Sequence, residues 1–362
     1  MADFKQVCEA AKKIKASDVH IVSDEQIYCR VNGKIVPLPD MLMSQKEVKQ
    51  SILDTSSPKA LAILGKQKHV TYAADIEDIG KVRFALYFNR QEFALSARFI
   101  PDDLTKMLGL LPNPQIESFL DQNRGLILVG SPSGEGKSTT VASMLNYINN
   151  KHDRLIFTVE NPVEYVHKDN RSTFIQRSIP IDIVDFYDGL SEAARIAPDI
   201  VVTDSISYDD AFDQALTLSE SGCMVIALTE GGDCQQIIER VIKSRKIEDQ
   251  ASFRSRLATQ LMLTVGQRLC PMAVSSMTRV PIFDIMENTQ QSKIFIRNDN
   301  LTMFRTVQQE HERAASGGRT DTLARTFDKQ LQTLLAEGKI TRETAYDLAV
   351  NKQSFPLPKK GV

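Results

Sequence analysis

Residues 125–145 read GLILVGSPSGEGKSTTVASML. Leu126–Val129 is a short continuous apolar run, the mark of a strand buried on both faces. Val141, Met144, Leu145 and Ile148 then fall at i, i+3, i+4 and i+7, which is one apolar face of a helix. Between strand and helix lies SPSGEGKST, residues 131–139. It departs from the pattern G-x-x-x-x-G-K-[ST], because the first required glycine falls on Ser131. The strand–loop–helix context nevertheless predicts a phosphate-binding loop. Lys137 and Ser138 stand at a helix N-terminus, where free N–H groups and the helix dipole attract an anion. Gly134 and Gly136 let the backbone curl around it, and Ser133, Glu135 and Thr139 complete the stretch expected to line a nucleotide. Lys137 is expected to reach the terminal phosphates and Ser138 to help hold Mg²⁺. The plainer alternative is a Gly/Ser turn with one exposed lysine. Serine at position 131 costs roughly 1–2 kcal/mol if that residue needs positive φ, and almost nothing if it is extended.

Working outward, the pattern from about Ile116 alternates strand and helix, which predicts a parallel sheet covered by helices. LILVG, LIFTVE, IVVTD and MVIALT are its expected strands. Residues up to about 101 mix short strands and helices. IYCRVNGKIVPL is two strands about Asn32-Gly33, a strong hairpin signal. KVRFALYFNR and FALSARFI form another expected pair and carry Arg83, Arg90 and Arg98. The stretch PDDLTKMLGLLPNP is a connector. This gives a domain over 1–101, a linker over 102–115 and a second domain over 116–362. After AASGGRTD the tail returns to helix, with Leu323, Phe327, Leu331, Leu334 and Leu335 at helical spacing and Gly338 as the stop.

The chain has 362 residues, enough for two or three domains. It is 42% hydrophobic and 25% charged, the balance of a soluble globular protein. A net charge of −2 gives no basic field to hold nucleic acid or an acidic membrane. Five scattered cysteines without a C-x-x-C pair indicate neither a disulfide framework nor a zinc site, which suits a reducing cytoplasm. The start MADFKQVCEAAKKIK has no apolar signal core, and no apolar run reaches the length of a membrane span. A cytoplasmic protein is expected, reaching the inner membrane only through partners.

Further stretches carry a family resemblance. ASDVHIVS, RVNGKIVPL, the glycine loop, FTVENPVEYVH, FIQRSI, AARIAPDIVVTD, LSESGCMVIALTEGGD and LLAEGKITRETA occur in this order. Together they resemble the PilT/PilU type IV pilus retraction motors of the secretion ATPase superfamily, over nearly the whole chain. The resemblance implies a small α+β, PAS-like N-terminal domain, then a RecA-like P-loop domain with a helical C-terminal extension. It implies ATP and Mg²⁺ as ligands and a ring of six, either of identical chains or mixed with an active PilT-type paralogue. A pilus inner-membrane platform protein is the further implied partner. ATP would lie between neighbouring chains, with Arg83, Arg90 and Arg98 of the N-terminal domain contacting its phosphates.

Departures from the family cluster at the chemistry. The family's Walker B strand ends in Gly-Glu; here Asp204 and Ser205 stand at those positions. Serine cannot serve as a carboxylate base at neutral pH. Asp204 is expected to support Mg²⁺, as an aspartate at this strand end does in many P-loop enzymes. The acidic box VENPVE keeps Glu160 and Glu164, with Asn161 where the family has aspartate. Glu160 is the best remaining candidate to orient or deprotonate the attacking water. Cys223 and Glu230 replace the two histidines of the family's His box. An ionised glutamate only accepts hydrogen bonds and repels phosphate, and Cys223 reads as an inert core residue. QSKIFIRND, from Gln291, replaces a C-terminal motif linked to mechanical coupling but keeps Arg297 and Asp299. The expectation is retained ATP binding with weak or lost hydrolysis. The alternative is a slow but genuine ATP-hydrolysing motor of a type IV pilus or a type II/IV secretion machine.

Overall fold

Period-two alternation builds the first sheet. In β5 (Gly80–Asn89) Val82, Phe84 and Leu86 are all buried, and Arg83 between them points to the other face. The computed structural model describes residues 3–31, 33–100, 111–204, 210–274, 279–318 and 322–357. β5 belongs to a six-stranded antiparallel sheet with β1 (Asp18–Val22), β2 (Tyr28–Val31), β3 (Lys34–Pro37), β4 (His69–Ile76) and β6 (Glu92–Phe99). The order is β3-β2-β1-β6-β5-β4. Helix Phe4–Lys13 buries Phe4, Val7, Cys8 and Ala11 in the core that this sheet shares. The Phe84 ring lies 5.5 Å from that of Phe4 and 5.2 Å from that of Tyr72. Both expected hairpins form: β2 pairs with β3 and β5 with β6. Asn32 itself lies outside the described residues. This unit comprises the described residues up to 100 together with 159–166 and 176–189.

The second unit holds an eight-stranded sheet, except for the ends of β8 and β9 that count with the first: β7 (Gly125–Gly130), β8 (Leu155–Glu160), β9 (Thr173–Ser178), β10 (Ile200–Thr203), β11 (Met224–Thr229), β12 (Leu261–Pro271), β13 (Arg279–Glu287) and β14 (Ala324–Arg325). The order is β14-β13-β12-β7-β11-β10-β8-β9. β7 runs parallel to β11 and β12, and β10 parallel to β11. The ladders β12/β13 and β13/β14 are antiparallel. β7 and β11 are buried along their whole length, as their unbroken apolar sequences require. Helix Lys137–Lys151 follows β7 and buries the stripe Val141, Met144, Leu145 and Ile148 against Ile127, Val129 and Ile226. The fold is thus mixed α/β, with a small N-terminal unit ahead of a larger sheet-centred one. Among the described residues no helix is long and apolar enough to cross a membrane.

One expectation about the tail is corrected. Leu323 does not lie on the terminal helix. Its N–H donates to the Glu287 carboxylate at 3.0 Å, and its carbonyl accepts from the Glu287 N–H at 2.9 Å. The next two residues are β14, paired with β13, so the chain is extended there. The helix begins at Phe327, capped by Thr326, and Leu323 shares the helical spacing only by coincidence. Phe327 and Leu331 are buried in a small core with Ile340 and Phe355. The expected stop holds: the helix ends at Ala336, and Gly338 follows with φ +67°.

Candidate functional site

The glycine loop leaves the sheet at its centre. Gly130, the last residue of β7, pairs with Thr229 of β11 and Gly266 of β12. A Cβ at Gly130 would lie 2.4 Å from the Ile237 side chain. Helix Cys234–Lys243, which carries Ile237, therefore rests directly on the root of the loop. Ser131 lies outside the left-handed region, so the missing glycine carries no conformational penalty. Its N–H faces the Thr229 carbonyl at 3.4 Å, and its Oγ donates to the Pro132 carbonyl at 2.7 Å. The two left-handed positions are both glycine: Gly134 at φ +80° and Gly136 at φ +86°. Gly136 is the helix N-cap and Lys137 the first helical residue. Ser138 and Thr139 stand half-buried in the first turn, while Ser133 is exposed.

The Lys137 ammonium donates to the Ser131 carbonyl at 2.7 Å. Burial pulls its pKa below the ordinary lysine value, the carboxylates of Asp204 and Glu230 push it back up, and Arg240 lowers it again. Asp204, half-buried after β10, and Glu230, after β11, thus both act on the loop lysine. Ser205 lies outside the described residues.

A clamp that the sequence does not announce fixes the loop from β12. The buried Gln267 donates from Nε2 to the Glu135 carbonyl at 2.7 Å, and its Oε1 accepts from Thr140 Oγ1 at 2.5 Å. The Glu135 carboxylate accepts the Leu269 N–H at 2.5 Å. Glu135 is thereby turned toward β12, and its negative charge is held by a backbone donor. A Cβ at Gly136 would come within 2.8 Å of Gln267 Nε2, so the glycine also makes room for the clamp.

On the strand-end side, the Glu230 carboxylate is bound to Arg240 at 2.5 Å. Cys223 is not at that end: it precedes β11, its carbonyl accepts the Gly125 N–H at the start of β7 at 3.3 Å, and its buried Sγ lies 3.4 Å from the carbonyls of Asp199 and Met224, where burial pushes the thiol up to about 12. It is a protonated core group, as the sequence led us to expect. Glu160 belongs to the first unit, where its carboxylate accepts from Gln176 Nε2 at 3.1 Å and its backbone carbonyl accepts from the Ile179 N–H at 2.8 Å.

The remaining candidate residues are held by partners the sequence did not reveal. Within the first unit, Arg83 pairs with Glu164 at 2.9 Å. Arg98 pairs at 2.7 Å with Asp18, a nearly buried carboxylate that Arg30 also approaches at 3.8 Å. Arg90 differs. It sits at the β5–β6 turn with φ +50°, its side chain is 84% exposed, and its ion-pair partner among the described residues is Glu25 at 3.6 Å. In the second unit, Arg297 ends helix Gln290–Arg297 and donates to Thr259 at 3.3 Å, and Asp299 meets Arg254 at 3.5 Å.

A sheet-centred α/β unit with a glycine loop between its central strand and the following helix defines a P-loop class of protein. Residues 103–345 match the type II/IV secretion system protein family, and the chain belongs to that family. It is 28% identical to the type IV pilus retractation ATPase PilT of Pseudomonas aeruginosa over 354 residues, which cover 98% of this chain and all of the relative. It is 22% identical to the type IV pilus ATPase PilU of the same organism, covering 95% of this chain and 87% of PilU. Its fold is similar to that of the pilus retraction motor PilT solved with bound ADP. There the TM-score is 0.81 at 25% identity, over 98% of both chains.

Proposed function

We propose that this chain is a ring-forming, ATP-binding protein of a type IV pilus system, with weak or lost hydrolysis, acting with or on an active retraction motor. The single observation that carries binding is the loop. Its two left-handed positions are glycine, and Lys137 opens the helix within the electrostatic reach of the Asp204 and Glu230 carboxylates. A solved relative of the same fold carries ADP. In this reading residues 133–139 cradle the phosphates through backbone N–H groups and Lys137 contacts the terminal ones. Ser138 and Asp204 are the residues that would hold Mg²⁺, which neutralises charge developing on the phosphoryl oxygens. Both stand in the second unit, on the loop helix and after β10 respectively.

Reduced hydrolysis follows from the side chains that replace the family's. Ser205 removes a carboxylate, and Glu230 places an acceptor where a donor stood. Glu160, assisted by Glu164, is the remaining candidate to position or deprotonate water. That candidate favours the second reading, a slow but genuine ATPase: Glu160 keeps its place at the end of β8 and is oriented by Gln176. We assign residues 1–101 to the N-terminal domain, 102–115 to the linker and 116–362 to the P-loop domain. The active form is a ring of six, homomeric or mixed with a PilT-type paralogue, at the cytoplasmic side of a platform protein. Of the three N-terminal arginines Arg90 is the most available for a neighbour's phosphates, because its side chain is exposed and weakly paired.

The test is parallel measurement of ATP affinity by calorimetry and of phosphate release, both with Mg²⁺ and with Lys137→Ala as control. Absence of binding at millimolar ATP rejects the proposal. Light scattering with nucleotide present tests the ring, and a monomer at high concentration rejects that part.

A further inference from the structure

We infer that Glu230 and Arg240 form a charge latch at the phosphate end of the loop, in which Glu230 occupies Arg240 and a nucleotide γ-phosphate competes for it. The inference rests on the nucleotide-binding reading above and adds a residue that nothing so far assigns to the site.

The placement of Arg240 is structural. Ile237 fills the space over Gly130 that a side chain would otherwise take. Arg240 lies three residues further along the same helix, on the same side. The helix is anchored at its start as well. Asp233 caps it by accepting the Gln236 N–H at 2.9 Å and is itself buried and bonded to Arg305 at 3.2 Å. The Cys234 N–H donates to the buried Asp284 at 2.9 Å. Arg240 is therefore carried by a helix that packs on the root of the loop through Ile237 and is tied at its start to Arg305 and to Asp284 of β13.

Glu230 is placed from the other direction. It follows Thr229, whose carbonyl faces the Ser131 N–H at 3.4 Å, and the Ser131 carbonyl in turn holds the Lys137 ammonium at 2.7 Å. One strand end thus sets the carboxylate, the loop and the lysine side by side. The Glu230–Arg240 contact is 2.5 Å long, with both side chains a little under half exposed. A pair of that exposure contributes little to stability and exchanges partners readily. A phosphate offers the guanidinium the same charge-assisted geometry with more charge. Lys137 already feels both members of the pair.

Two consequences separate a latch from a decorative ion pair. Removing the carboxylate frees Arg240 for the γ-phosphate and takes away a like charge, so the gain belongs to ATP and not to ADP. Removing Arg240 as well abolishes the gain. The experiment titrates wild type, Glu230→Gln, Arg240→Gln and the double variant with Mg·ADP and with a Mg²⁺-bound triphosphate whose β–γ bridging oxygen is replaced by nitrogen. Thermal melts check that each variant is folded. Glu230→Gln is expected to tighten the triphosphate about 10-fold and to change ADP by less than about 2-fold. The double variant is expected to return to within about 2-fold of Arg240→Gln alone. Equal shifts for both nucleotides, no shift, or a gain that survives in the double variant overturns the latch while leaving nucleotide binding in place. A folded wild type that binds neither nucleotide overturns both.

Discussion

The loop 131–139 carries Lys137, and the strand ends at Asp204 and Glu230 bear on that lysine through their charge, yet the two regions depart from the expected pattern in different ways. On the loop side the unusual residue is Ser131, and the backbone there does not need glycine. The positions that do need it, Gly134 and Gly136, have it. The work of a phosphate loop is done by N–H groups, which every non-proline residue supplies. On the strand-end side the work belongs to side chains. Where the resemblance expects a histidine, Glu230 offers only acceptors and a negative charge, which Arg240 meets at 2.5 Å. On the proposed reading, a departure from the motif is expected to matter little where the backbone acts and more where the side chain acts.

The largest expected effect tests the strand-end half of that contrast. Turnover should lie about 100-fold or more below that of the Pseudomonas aeruginosa PilT measured alongside, because a missing base commonly costs about 10²–10⁴ in rate. Glu160→Gln should abolish the residual rate while leaving ATP affinity within about 2-fold. Ser205→Glu combined with Glu230→His should raise turnover. Equal turnover in this chain and in PilT would break the contrast, and Asp204 would become the first suspect for a relocated carboxylate.

The next effect tests the loop half. Lys137→Ala should weaken ATP about 10- to 100-fold in calorimetry, the range for losing a charge-assisted hydrogen bond. An unchanged affinity would mean that the ammonium's bond to the Ser131 carbonyl, and not phosphate, is its function. A third, smaller effect concerns Cys223, at the end of β11 away from the loop. The thiol is buried and pushed up to about 12, so it stays protonated through the physiological range. Native protein at pH 8 should resist iodoacetamide at this residue, and labelling should appear only on unfolding. Cys223→His should destabilise the fold by about 1–3 kcal/mol in denaturant melts, because the site is packed for a smaller side chain. Stable folding would show that the pocket at the start of β11 has room for the larger ring.

What the sequence made legible was local. The loop, its helix stripe and strands β7, β8, β10 and β11 are continuous patterns, and each formed where its pattern lies. β12 and β13 form a nine-pair ladder from Leu263–Glu287 to Pro271–Arg279, but were not read from the sequence. Their apolar runs are broken by Gln267, Arg268, Pro281 and Asp284. Gln267 and Asp284 are nevertheless buried and satisfied, by the loop and by Cys234 with Gln308 respectively. The partners of the site were illegible for the same reason. Gln267 reaches Glu135 across 132 positions, and Arg83 reaches Glu164 across 81. Periodicity reports which face a residue takes, and says nothing about which distant group will meet it there.

The smallest expected effect decides whether Ser131 is a defect or a neutral variant. Ser131→Gly restores the first glycine of the phosphate-loop pattern. If the loop were strained at that position, glycine would relieve about 1–2 kcal/mol and sharpen nucleotide binding. The backbone at Ser131 is outside the left-handed region, so there is nothing to relieve. Glycine instead adds unfolded-state entropy worth about 0.5–1 kcal/mol and removes the Oγ bond to the Pro132 carbonyl. The variant should therefore melt slightly earlier and bind ATP within about 2-fold of wild type. Tighter binding by about 10-fold, read by the same calorimetry as Lys137→Ala, would show that serine does impair the loop. The loop side would then be worn as well, and the contrast between backbone and side-chain chemistry would fail at its first residue.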